Sequence, residues 1–147
     1  MTADDFSRES AAFARGRTVA EGGLGRYGHL RRMFALTHPN LKWNAWLERQ
    51  MEAYCDDTYA TCIGNVILRS VNLAGCASAG KTFSAGLFAF EWWLADPFHS
   101  ICILCSTTKQ GAGFRMWPIV RNAYHEARAN LAALNGIDES DMDLGNM

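Results

Sequence analysis

The chain has 147 residues, room for one domain with a buried core, and its 49% hydrophobic and 20% charged residues are ordinary globular composition. A formal net charge of −1 excludes a whole-chain electrostatic signal for nucleic acid or an anionic membrane, and no apolar run approaches membrane-spanning length. Five cysteines, an odd number with no leader-like segment ahead of them, favour free thiols in a reducing cytosol.

Residues 1–40 lack a clean hydrophobic period. A short helix is predicted around Phe6 to Arg15, followed by Gly16, Gly22, Gly23, Gly25 and Gly28. With six arginines in this stretch, it reads as a flexible, weakly basic arm. Residues 41–147 read as the domain proper. His38-Pro39-Asn40 is a turn and helix-start signal, and Trp43, Trp46, Leu47, Gln50, Met51 and Tyr54 then fall at helical spacing. This helix should end near Cys55-Asp56-Asp57. Thr61 to Ala74, rich in Val, Ile and Leu, reads as two short extended pieces around Asn65 or Arg69.

Lys81 to Leu94 is helix-compatible, and Ala95-Asp96-Pro97 stops it. Ser100 to Cys105 is an apolar run of the kind found in a strand buried on both faces of a parallel sheet. Cys102 and Cys105 sit three apart on that run. Strand residues three apart face opposite ways, so the pair reads as buried structural cysteine rather than a chelate. Ser106, Thr107 and Thr108 read as caps for a last helix, on which Phe114, Trp117, Val120, Tyr124, Ala127, Leu131 and Leu134 recur at steps of three and four. Pro118 should kink this helix or mark its true start, and Gly136 should cap its end. Asp138, Glu139, Asp141 and Asp143 read as a solvated acidic tail. The order helix, strand, loop, helix, strand, helix predicts an α/β fold, a partial P-loop NTPase core on a parallel sheet.

The most specific motif lies between the extended pieces and the central helix. Gly75-Cys76-Ala77-Ser78-Ala79-Gly80-Lys81-Thr82 satisfies G-x-x-x-x-G-K-[ST]. Such a loop works through its backbone: the glycines let successive N–H groups curl around phosphates. Lys81 reaches the β and γ oxygens, and the Thr82 hydroxyl is left for Mg²⁺. Val71 to Ala74 could be the strand that feeds it, and the dipole of the following helix would add to the anion site. The bland reading is a Gly/Ala/Ser connection that happens to hold a lysine.

Beyond the loop, Trp92-Trp93-Leu94-Ala95-Asp96-Pro97, the segment Cys102 to Lys109 with its Ser106-Thr107-Thr108, and Arg115-Met116-Trp117 belong to one pattern. Together with Asn72 to Thr82 they resemble the start of a tailed-phage terminase large subunit. The resemblance implies an ATP-driven motor that moves double-stranded viral DNA into a capsid. It implies ATP and Mg²⁺ as ligands, with Gly75 to Thr82 around the triphosphate and Trp43 or Trp46 over the adenine. It also implies partnership with a small terminase subunit and a portal protein, self-association in the full-length protein, and a host-cytoplasmic location without a membrane.

Two departures bear on activity. The variable loop positions Cys76, Ala77, Ser78 and Ala79 hold no arginine, so charge stabilisation would fall to Arg115, Arg121 or an outside group. No apolar strand finishes in Asp-Glu, and the nuclease carboxylates of the family are missing. The chain therefore reads as part of such a subunit, expected to bind nucleotide without hydrolysing it efficiently. The alternatives are another P-loop NTPase fragment, helicase-like in kind, and a small non-catalytic interaction protein that keeps the loop as a turn. His29, His38, His99 and His125 are scattered without a partner carboxylate at catalytic spacing and read as surface or turn residues. Cys76, near a helix N-terminus and Lys81, is expected to have a lowered pKa and to react readily.

Overall fold

The structure is a computed structural model that describes residues 3–15, 25–56, 61–63, 66–68, 80–97, 101–103 and 109–144. Helix α1 spans Ala3–Arg15 and α2 spans Gly25–Thr37. Two helices thus stand within the segment read as an arm. They pack closely on one another and carry Phe13, Leu30, Met33 and Phe34 into the core. Helix α3 (Ala45–Cys55) starts later than the His38-Pro39-Asn40 signal suggests. Its cap is Asn44, whose Oδ1 accepts from the N–H groups of Trp46 at 3.0 Å and Leu47 at 2.9 Å. The two extended pieces form a short antiparallel pair, β1 (Thr61–Ile63) and β2 (Val66–Leu68), with Cys62 opposite Ile67.

Helix α4 (Lys81–Ala95) is the centre of the molecule. It packs against α1, α2, α3 and α6. Its sequence, KTFSAGLFAFEWWLA, is apolar nearly all round, as a helix surrounded by protein must be. Leu87, Phe90 and Leu94 are buried on it, and Phe88, Trp92 and Trp93 pack against the core from its other sides. Gly86 marks the closest approach to α6 (Trp117–Asn135): a Cβ there would lie 2.9 Å from Cγ2 of Ile119.

A single turn, α5 (Lys109–Gly111), leads into a π-helical turn over Ala112–Met116, and α6 begins at Trp117 with Pro118 in its first turn. The wider π turn breaks the periodicity read from sequence. Val120, Ala127 and Leu131 of the stripe are buried, whereas Phe114 and Trp117 are 74% and 46% exposed. Gly136 takes the left-handed conformation (φ 65°) and closes α6: its N–H donates to Ala133 O and that of Ile137 to Ala132 O. The acidic end is held to the fold. Arg128 donates to the carbonyls of Met142 and Ser140, and Met142 and Leu144 pack on the core while Asp138, Glu139, Asp141 and Asp143 stay exposed.

This architecture overturns the α/β reading. The described residues are predominantly helical, and their only strand pairing is the local antiparallel one. Ile101 and Ile103, predicted to lie in a strand buried on both faces, are 88% and 80% exposed in a segment without strand structure. The physical reason is that a short apolar run fits a buried strand or any other apolar contact equally well. Here the Cys102 thiol donates to Ala89 O of α4 at 3.1 Å, yet Cys102, read from the sequence as buried, is exposed like its two neighbours. The faces of α4 that a sheet would cover are covered by helices instead. The proposed feeding strand at Val71 to Ala74, and Cys105 to Thr108, lie outside the described residues.

Candidate functional site

The first turn of α4 carries the described end of the phosphate-loop motif. Gly80 precedes it at φ 71°, a left-handed conformation that glycine adopts without steric cost, and among the described residues nothing lies within 4 Å of where a Cβ would be. Gly80 itself supplies no side-chain cap. The first internal bond runs from Ser84 N–H to Gly80 O at 2.9 Å, so the N–H groups of Lys81, Thr82 and Phe83 precede the helical ladder. They form a positive helix end suited to an anion. Gly80 and Thr82 are exposed and Lys81 is half-buried. Gly75, Cys76, Ala77, Ser78 and Ala79 lie outside the described residues, and with them the expected reactivity of Cys76.

Helix α3 fixes this turn in place. Ser84, fully buried one turn in, sets its hydroxyl against Gln50 Oε1, Lys81 O (3.0 Å) and Tyr54 OH (3.4 Å). Burial raises the Tyr54 pKa, against a smaller lowering by the Ser84 hydrogen bond, so the phenol stays neutral and keeps its proton to share. Trp43 stands elsewhere, just before the α3 cap. Its ring meets Phe34 edge-on at 5.4 Å, and the Arg31 guanidinium sits 3.8 Å over its centroid. Trp46 is 41% exposed on α3. Arg115 and Arg121 are exposed, on the π turn and on α6.

Two histidines that the sequence left on the surface are buried beside carboxylates. His29 Nδ1 lies 2.6 Å from Glu9 Oε2, and Arg32 donates to Glu9 Oε1 at 3.0 Å. Burial works against the Glu9 charge, but hydrogen bonds from His29 and Arg32, together with the Arg32 charge, outweigh it and hold its pKa below the ordinary value. His38, 3% exposed, lies with Nδ1 3.1 Å from Oε1 of the fully buried Glu91 and 2.8 Å from the Thr37 hydroxyl. Thr37 Oγ1 is in turn 2.6 Å from Glu91 Oε1, and Asn130 Nδ2 donates to Thr37 O at 2.7 Å. Among the described residues, Nε2 of His38 and Oε2 of Glu91 find no hydrogen-bond partner. The partners lie 20 and 53 residues apart in sequence, so no local spacing could have revealed them; the only signal was a Glu inside an otherwise apolar helix.

No family model, characterised protein or solved structure matches this chain.

His38 also lines an open cavity of about 530 Å³ between α4, α6 and the turn before α3. Phe83 and Leu87 of α4, Ile119 and Asn122 of α6, and Asn40 of the turn line it with His38. Of the first turn of α4 only Phe83 is among the lining residues; Lys81 and Thr82 are not. Among the described residues no three His, Cys, Asp or Glu side chains are grouped to hold a metal by themselves, and no helix is long and apolar enough to cross a membrane.

Proposed function

We propose that this chain binds Mg·ATP at Gly75–Thr82, as the nucleotide-binding part of a viral DNA-packaging motor of the terminase large-subunit type. The observation that carries this reading is the start of α4: a left-handed Gly80, then Lys81 and Thr82 in the first turn. A phosphate group would accept from N–H groups of the first turn, Lys81 would add a point charge, and Thr82 would share Mg²⁺ with the phosphate oxygens. With no acidic cluster to hold the ion among the described residues, Mg²⁺ would arrive with the nucleotide. Double-stranded viral DNA, the small terminase subunit, a portal protein and further copies of the chain are the corresponding partners, in the host cytoplasm.

The helical core supports a second reading. A phosphate loop normally stands at the edge of a parallel sheet, and here α4 is enclosed by helices. On that reading the loop is a structural turn in a small interaction protein. Thermal melts with and without Mg·ATP separate the two. A ligand-dependent rise in Tm that disappears in Lys81→Ala supports nucleotide binding. A melt indifferent to Mg·ATP, or one shifted equally in the variant, favours the structural turn.

A further inference from the structure

Exposed apolar side chains gather along one flank of α4. Cys102 donates to Ala89 O, three residues along the helix from Gly86, where α6 makes its closest approach through Ile119. Positions three apart share a helix face, so the segment carrying Ile101 and Ile103 and the start of α6 meet α4 on the same side. The π turn also packs on α4. Ile101, Ile103, Phe114 and Trp117 are all exposed there. Large apolar side chains left in water at neighbouring positions mark an interaction surface.

Charge narrows the occupant. Between Pro97 and His125 the sequence has no Asp or Glu, and it carries Lys109, Arg115 and Arg121. Arg115 adjoins Phe114, and Arg121 lies one turn after Trp117 on the same side of α6. Both arginines are exposed, and among the described residues neither forms an ion pair. The surface therefore fits a partner that brings carboxylates with an apolar anchor. The chain displays that combination at the far end of α6. Ile137 is exposed just past the Gly136 cap, and Glu139 and Asp141 are exposed beyond it. Their turn is held in place: Asp138 accepts from Ser140 N–H at 2.9 Å, and Arg128 donates to the Ser140 and Met142 carbonyls. An already ordered turn loses little freedom on docking.

The two surfaces stand at opposite ends of the 19-residue α6, separated by roughly 25 Å at the rise of a helix. They can meet only between molecules. A two-fold contact of the first surface with itself would set arginine against arginine, whereas a head-to-tail contact sets arginine against carboxylate. We propose that the chain self-associates head to tail: Phe114, Arg115, Trp117 and Arg121 of one copy receive Ile137, Glu139 and Asp141 of the partner subunit. The contact uses none of Gly75 to Thr82, so it stands or falls separately from nucleotide binding.

Sedimentation velocity on the full chain, over a concentration series without nucleotide, tests this at ~20 mM and ~500 mM salt. The wild type should associate with rising concentration at low salt and lose most of that association at high salt. Arg115→Glu with Arg121→Glu reverses one surface, and Glu139→Lys with Asp141→Lys reverses the other. Each double variant should weaken association at least about ten-fold. All four positions are exposed, so an unchanged circular dichroism spectrum confirms that the fold survives. An equimolar mixture of the two variants should associate again, because each reversed surface meets its complement in the other variant. A wild type that stays monomeric at low salt overturns the proposal and leaves the surface to a different partner. Association kept in full by either variant overturns it too, since the copies then meet elsewhere. A mixture that stays monomeric overturns the pairing of arginines with carboxylates.

Discussion

The two ends of α4 are built to different rules. At its start the backbone turns through a left-handed glycine, the first N–H groups precede the helical ladder, and Thr82 and Phe83 face solvent. Two to three turns later the same helix holds Phe90 and Glu91 at 1% and 0% exposure, enclosed by its neighbours. The first end lies at the surface, whereas the second is enclosed by other helices. A helix buried along its middle and open at its tip serves as a mount. Packing fixes its direction, and the Ser84, Gln50 and Tyr54 contacts fix its first turn against α3.

That contrast can be broken most forcefully in the middle of the helix. Phe90→Ala should destabilise the fold by about 3–5 kcal/mol, read by denaturant unfolding, because a fully buried ring leaves a cavity among helices that cannot all close on it. Gly86→Ala should cost about 1–3 kcal/mol despite the better helix propensity of alanine, since the new Cβ meets the β-branched Ile119 at 2.9 Å. Adding Ile119→Ala should return much of that loss in a double-mutant cycle; additive losses would disprove the clash.

Smaller effects are expected away from α4. Because the folded Glu9 pKa lies below its ordinary 4.5, its contribution to stability is present in full above that value and is lost as pH falls through the folded pKa. Glu9→Gln should therefore flatten the acid limb of a stability-against-pH curve; an unchanged limb would remove Glu9 from the acid response. At the tip, Lys81→Ala should change stability by no more than about 0.5 kcal/mol while abolishing the Mg·ATP effect on Tm. A large loss of stability there would mean that the tip belongs to the core after all.

Local chemistry was readable without coordinates. The span of α4, its stop at Ala95-Asp96-Pro97 and the end of α6 at Gly136 follow from proline, glycine and period alone, whereas Pro118 allows either a kink or a start. The helix at Phe6 to Arg15 appears within α1, which is longer by three residues at its start. By contrast, α2 was hidden. Gly25, Gly28 and its arginines look like linker composition, and only packing against α1 makes Leu30, Met33 and Phe34 core residues. Asn44 outcompeted Asn40 as the cap of α3 for a reason that lies in the turn between them, where Leu41 and Trp43 pack inward.

The amino-acid sequence by itself indicated where α4 stops and where α6 ends, and it carries a stretch that matches the phosphate-loop pattern, because breakers and glycine dihedrals act over a few residues. The tertiary structure decided what surrounds α4, and replaced the expected sheet with helices, because an apolar face does not specify which apolar surface covers it. It alone brought His38 to Glu91, and opened a cavity between α4, α6 and the turn before α3. Those contacts join residues far apart along the chain, and their energies exist only once the core has closed.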